Sequence, residues 1–302
     1  MHKDGLLIMG YVFAMIAVLF WGMSFISTSI LLEVFAPLEI LIYRFIMAYL
    51  ALWLFRPHFV KFKSVKDELM VAAAGLSGIV LYYVFETVAL TYTRTSNVGV
   101  ITALATVFTA IFCSIGVKEE KLSVRFFGGF AIALAGIILI SYSGSTEFSM
   151  NPLGDFLALL SAISWGIYSL FVRFLLQKYD SVVITRRVFF YGIIFLFLLT
   201  PFMKFSWDLT RFNGKYLFNI IVLGLGASAL SMASWNQAIL KLGAVKSAVF
   251  IYLMPVITVF GAWIVLGEVP SLMSGGGVLL VMAGLVVSER KKNKRKKRPN
   301  SY

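Results

Sequence analysis

Two ionisable side chains, Arg44 and Glu86, stand inside otherwise apolar stretches of this 302-residue chain. A charge at bilayer depth costs at least about 2.5–3.5 kcal/mol on insertion scales, so each needs a reason. At 1.5 Å per residue, Glu86, about five residues from the end of its stretch, and Arg44, about seven from the start of its own, lie roughly 8 to 10 Å below the same surface. Equal depth gives the two groups a shared task. They neutralise one another as a structural ion pair, or together they meet a charged substrate or a proton. An arginine that snorkels outward is the alternative for Arg44 alone.

Aromatic, hydroxyl and amide residues form a second set: Trp21, Ser24, Tyr82, Tyr83, Trp165, Tyr168, Trp235, Asn236, Gln237 and Tyr252. Trp at a membrane surface belongs to the interfacial belt, yet Trp21 and Trp165 fall near mid-stretch, where a belt does not reach. Buried Trp N–H and Tyr O–H groups need partners, and amides such as Asn236 and Gln237 are costly against lipid. Helix packing accounts for any one of these residues; as a set they favour a polar cavity. Pro255, in the middle of its stretch, removes a backbone donor and is the expected hinge.

Other chemistries lack their residues. His2 and His58 both fall outside the apolar stretches, and the single Cys113 lies within one, so neither a histidine or thiolate metal site nor a disulfide framework is expected. No phosphate-binding loop of the G-x-x-x-x-G-K-[ST] type occurs, and no cofactor is expected. An integral-membrane enzyme acting on lipid or isoprenoid phosphates would need acid pairs, histidine clusters or a metal motif near one surface; the loop from Asp208 to Arg211 is too sparse to serve. A receptor or assembly factor is disfavoured because almost all of the chain is used in apolar stretches.

The elements that must position these groups are membrane helices. With 60% hydrophobic and 14% charged residues and a mean hydropathy of +0.90, the chain is too apolar for a soluble domain. The apolar stretches, about 18 to 25 residues each, suit helices crossing a hydrocarbon layer of about 30 Å. They fall at 8–30, 37–55, 68–91, 96–117, 123–143, 153–177, 182–203, 216–240, 244–267 and 271–289. The fold class is therefore all-α integral membrane with ten transmembrane helices. The first stretch is long and lacks a small-residue cleavage site, so it reads as a mature helix.

The formal charge of +13 suggests nucleic acid until its distribution is read. With the amino terminus inside, 21 of the 27 Lys and Arg fall on the inner side, against Arg94, Lys204, Arg211 and Lys215 outside and Arg44 and Arg173 within stretches. That is a positive-inside pattern, which places both termini in the cytoplasm and excludes a nucleic-acid partner. Eight basic residues between Arg290 and Arg298 form a tail (290–302) suited to anionic lipid.

The second half repeats the first. Phe20-Trp21-Gly22-Met23-Ser24-Phe25 is answered by Ser164-Trp165-Gly166-Ile167-Tyr168-Ser169, Arg44 by Arg187, and Val107-Phe108-Thr109 by Val256-Ile257-Thr258. Glu119 is answered by Glu268, and Gly129 and Gly136 by Gly277 and Gly284. Five stretches per repeat is an odd number, so residues 1–143 and 144–289 must be inverted relative to each other, an arrangement typical of carriers. The glycine-rich fifth and tenth stretches read as packing or subunit-contact elements, with a homodimer as one use.

These residues resemble the EamA family of the drug/metabolite transporter superfamily. The likeness spans about residues 8 to 289 and rests on Trp21-Gly22, Pro37 followed by Arg44-Phe45, Ala89-Leu90, Pro255-Val256 and Gly267-Glu268. The resemblance implies a proton-linked or exchange-type secondary carrier of amino acids, other metabolites or toxic compounds, with no catalytic residues and a central cavity lined by both repeats; carried over by motif, the expected substrate lining is Trp21, Ser24, Tyr82, Glu86, Trp165, Tyr168, Trp235, Asn236 and Tyr252. No organellar targeting segment is evident, so a plasma membrane is the expected host. Two departures stand out: Thr106 takes the place of the proline usual before the Val-Phe-Thr segment, and Ser181 to Thr185 replace an equivalent of Pro37. A phosphorylated substrate suits the lining poorly, because no Lys or Arg cluster faces the midplane. Efflux of amino acids or related small metabolites is the expected function.

Overall fold

The computed structural model describes residues 3–57, 62–93, 98, 101–117, 123–143, 151–266 and 271–289. Every regular element among them is helical. Helices α1 (Lys3–Leu32) and α2 (Pro37–Phe55) are followed by α3 (Val65–Tyr92), which contains a π-helical stretch at Leu76–Leu81. Next come α4 (Ala105–Gly116), α5 (Val124–Ser143), α6 (Pro152–Leu175) and α7 (Ser181–Leu198). Helix α8 (Gly214–Leu242) carries a second π-helical stretch at Val222–Leu230. Helix α9 is built in pieces, Ala244–Val249, a 3-10 turn at Phe250–Tyr252 and Leu253–Leu266, and α10 is Leu272–Glu289.

Seven of these helices, α1 to α3 and α6 to α9, are long and apolar enough to cross a bilayer. Helix α4 and the apolar parts of α5 (Val124–Ile140) and α10 (Leu272–Ser288) are shorter. Most of the expected start of the fourth stretch lies outside the described residues, as do His2, His58, Lys61, Arg94, Lys118, Glu119, Lys121, Gly267, Glu268 and the basic tail.

Local chemistry explains where helices begin. The side chains of Ser64, Asn151, Asp180 and Asn213 each accept from backbone N–H groups of the following turn, at 3.0 to 3.3 Å, and so cap α3, α6, α7 and α8. Pro37 opens α2, while the Ala36 N–H donates to Glu39 Oε2 at 2.7 Å. Gly243, with φ 92°, ends α8. Pro255 lies in the middle of the continuous helical span Ala244–Gly261, as the third residue of its Leu253–Leu266 piece and directly after the 3-10 turn at Phe250–Tyr252, where the helix changes its hydrogen-bonding pattern.

The packing follows a reciprocal pattern. Helix α1 lies against α8 and α9, and α6 lies against α3 and α4; α2 packs on the π-helical stretch of α8, and α7 on that of α3. Glycines make the close approaches. A Cβ on Gly22 of α1 would meet Ile257 of α9 at 2.7 Å, and one on Gly166 of α6 would meet Phe108 of α4 at 2.8 Å. A Cβ on Gly75 of α3 would lie 3.0 Å from Tyr191 of α7, and one on Gly224 of α8 would lie 2.7 Å from Met47 of α2. Helices α5 and α10 pair closely at one flank, where a Cβ on Gly136 would meet the Gly277 carbonyl at 2.5 Å. The glycine seam is thus filled within a single chain.

Each end of the bundle also carries a polar clasp. At one end Arg211, in the α7–α8 connection, donates to Glu39 Oε1 (2.8 Å) and Oε2 (3.2 Å) and to the Val34 carbonyl (3.1 Å), with its guanidinium 4.8 Å from the Phe35 ring. At the other, Lys178 and Tyr179, in the α6–α7 turn, donate to Asp67 at 2.7 and 2.8 Å, while Arg56 pairs with Asp180 at 2.6 Å. These bonds to carboxylates raise the pKa of Arg211 and of Lys178 above their ordinary values.

Candidate functional site

The apolar core is interrupted by a cavity of about 60 Å³ lying toward the end where α1 passes into α2. Helix α1 contributes Trp21, Ser24 and Thr28; α2 contributes Pro37, Ile40, Leu41 and Arg44; α3 contributes Tyr82, Tyr83, Glu86, Thr87 and Leu90. Thr102 and Ala105 at the start of α4, Ile251 and Met254 of α9, and Trp165 of α6 complete the wall. Helical geometry produces this grouping, because Tyr82 and Glu86 are four apart on α3 and share a face. The Tyr82 O–H donates to Glu86 Oε1 at 3.0 Å.

Arg44 and Glu86 do face the same space, but no ion pair within 4.0 Å joins them, so direct neutralisation is not what the geometry provides. Arg44 is held elsewhere. Its Nε donates to Ser228 Oγ in the π-helical stretch of α8 at 2.8 Å, and its Cζ lies 4.9 Å from the Tyr83 ring centroid and 5.2 Å from that of Phe45. Its Nη2 has no hydrogen-bond partner, although the residue is only 4% exposed. Snorkelling is therefore excluded. Arg187, the residue aligned with it in the other half, sits near the surface, 3.9 Å from Glu68.

Beneath the cavity lies an aromatic layer. Trp165 packs on Trp21 (5.3 Å between centroids), Tyr82 (4.9 Å), Tyr168 (5.0 Å) and Trp235 (6.3 Å). Trp21 Nε1 donates to the Ala227 carbonyl at 3.0 Å, whereas Trp165 Nε1 has no partner. Ser24 turns its hydroxyl onto the Trp21 carbonyl at 2.8 Å.

Below that layer the bundle is closed. The Tyr168 O–H donates to Asn236 Oδ1 at 3.0 Å, and Asn236 Nδ2 donates to Thr185 Oγ1 at 2.8 Å, all three residues being fully buried. Gln237 Nε2 donates to Ser181 Oγ at 2.5 Å, and Arg173 Nη1 to the Ile239 carbonyl at 3.3 Å. Of the expected lining residues, Trp21, Ser24, Tyr82, Glu86 and Trp165 meet at the cavity. Tyr168, Trp235 and Asn236 lie beneath it, and Tyr252 sits 6.0 Å from Phe130 in the cluster between α5, α9 and α10. Thr28, Thr87, Thr102 and Ser228 went unnoticed in the sequence, since a hydroxyl in an apolar helix gives little signal. Among the described residues no group of three or more His, Cys, Asp or Glu could hold a metal ion.

A multi-pass helical membrane protein with a polar cavity enclosed by its helices has the form of a transporter. The chain belongs to the EamA-like transporter family, whose profile matches residues 8–142 and 152–289. It is 28% identical over 282 residues to an uncharacterized transporter of Archaeoglobus fulgidus, covering 92% of this chain and 96% of that one. It is also 24% identical over 277 residues to a probable terminal-alkyne amino-acid exporter of Streptantibioticus cattleyicolor, covering 91% and 92% of the two chains. A solved protein crystal structure shares the fold with a TM-score of 0.78 at 19% identity, covering 95% of this chain and 97% of the other.

Proposed function

We propose that this protein is a secondary carrier that exports small organic metabolites, foremost amino acids and related compounds, across the plasma membrane by alternating access. On this reading it crosses the bilayer ten times as two inverted five-helix repeats, 1–143 and 144–289. Both termini are cytoplasmic, and the tail 290–302 rests on anionic lipid. The observation that carries the reading is the asymmetry of the core: a polar cavity at the α1–α2 end and a hydrogen-bonded seal at the α6–α7 end.

The reciprocal contacts support inversion. Trp21 corresponds to Trp165, Gly22 to Gly166, Gly75 to Gly224 and Thr87 to Asn236, and each glycine admits the equivalent neighbour from the opposite half. Both π-helical stretches, both clasps and the two stretches matched by the family profile follow the same division. The open end carries Ser24, Leu41 and Thr87 where the closed end carries Tyr168, Thr185 and Asn236. Exchanging the two packings would close one end and open the other with no new fold. A homodimer would use surfaces other than the α5–α10 seam.

Two measurements test this. In a Cys113→Ala background, Lys63→Cys is expected to label from the cytoplasm and Lys215→Cys from outside; labelling of both from one face overturns the inversion. Reconstituted protein is expected to show counterflow of at least one amino acid or related metabolite. Absence of flux for every member of such a panel, with and without a pH gradient, overturns the carrier reading.

A further inference from the structure

We infer that the cavity is a zwitterion site with fixed polarity, which takes a cargo carboxylate at Arg44 and Trp165 and a cargo ammonium at Glu86. Arg44, Trp165 and Glu86 all line one small space, Arg44 Nη2 and Trp165 Nε1 are buried with no hydrogen-bond partner, and no ion pair within 4.0 Å joins Arg44 to Glu86. Charges buried without partners are costly, so the walls call for a ligand that brings both signs. A simple anion would leave Glu86 unmatched, and a simple cation would leave Arg44 unmatched.

The arginine is held in place for this role. Ser228 fixes its Nε, and the Tyr83 and Phe45 rings flank its guanidinium, so the fork is oriented before a ligand arrives. Tyr82 holds one oxygen of Glu86 and leaves the other without a protein donor. Size agrees as well: about 60 Å³ holds roughly four to six water-sized groups, close to the nitrogen, Cα and carboxylate of one amino acid. This inference rests on the carrier reading only for its transport arm, because binding alone defines the site.

The test uses L-alanine, L-leucine and L-phenylalanine, each with its methyl ester, which lacks the carboxylate, and its N-acetyl derivative, which lacks the ammonium. Binding is read as thermal stabilisation of the full chain in detergent and transport as competition in counterflow. At least one free amino acid is expected to act at concentrations about 10- to 100-fold below those of both its derivatives. Arg44→Gln is expected to abolish discrimination against the ester while keeping that against the N-acetyl form, and Glu86→Gln to do the reverse. Should either variant fail to fold, the wild-type ranking still decides. Derivatives that act as well as the free amino acids, or no response to any compound, overturn the zwitterion site; so does Glu86→Gln altering only the pH dependence. Flux without the ranking leaves the carrier standing and removes the polarity, whereas ranked stabilisation without flux leaves the site and removes the carrier.

Discussion

Trp165 is the residue through which the two halves of the site meet. Its ring contacts Trp21, Tyr82, Tyr168 and Trp235, so it floors the cavity and roofs the seal at once. Beside it, Tyr82 supplies the protein hydrogen bond found on Glu86. Tyr82→Phe keeps the ring but removes that donor, and a buried acceptor losing a charge-assisted bond forfeits about 1.5–3 kcal/mol. The expected outcome is a matching loss of stability in thermal unfolding, and an unchanged unfolding temperature would show that this bond does not hold Glu86 in place. At this scale the sequence was informative where a residue is out of place in an apolar helix, as Arg44, Glu86, Trp21 and Trp165 are. It could not separate Tyr82, at the cavity, from Tyr168, in the seal, because helical period reports a face and not the neighbour opposite. Glu39 escaped notice because an acid in the first turn of a helix reads as ordinary capping, whereas the fold buries it to 3% exposure under Arg211.

Among the elements, α5 and α10 form a pair whose approach depends on missing side chains. The expected consequence of Gly136→Val is that its branched Cβ collides with the Gly277 carbonyl, with a loss of about 1–3 kcal/mol typical of overpacking. Gly275→Ala, at a glycine with open space around it, serves as the control and should leave the unfolding temperature almost unchanged. Equal behaviour of the two variants in detergent would show that the seam is not tightly packed. Helix positions were legible because long apolar runs in a bilayer admit few alternatives to a helix. The π-helical stretches in α3 and α8 were not, nor was the 3-10 turn in α9. Each π-helical stretch packs a glycine against a partner across the bundle, Gly78 against Tyr168 and Gly224 against Met47, and a one-dimensional pattern does not contain such neighbours.

Across the whole molecule, cavity, aromatic layer and hydrogen-bonded seal are stacked in that order from the α1–α2 end toward the α6–α7 end. Trp21 and Trp165 were legible as a related pair because each precedes a glycine; that Tyr168, Asn236 and Thr185 meet was not, because it depends on neighbours from three different helices. The clasps tie Arg211 to Glu39 at one end and Lys178 to Asp67 at the other, and on the alternating-access reading they persist while the seal changes. Tyr168→Phe removes the hydroxyl that donates to Asn236 and leaves that buried carbonyl unpaired. On the alternating-access reading the cost of about 1–3 kcal/mol falls on the sealed state alone and shifts the equilibrium toward opening at the α6–α7 end by roughly 5- to 150-fold. Spin labels at exposed Gln177 and Leu240, near the ends of α6 and α8, should then report a second, longer separation beside the one found in the unmodified protein. An identical distance distribution in the two proteins would show that the Tyr168–Asn236 bond does not hold the bundle shut, and the seal would then have to lie in the apolar packing around it.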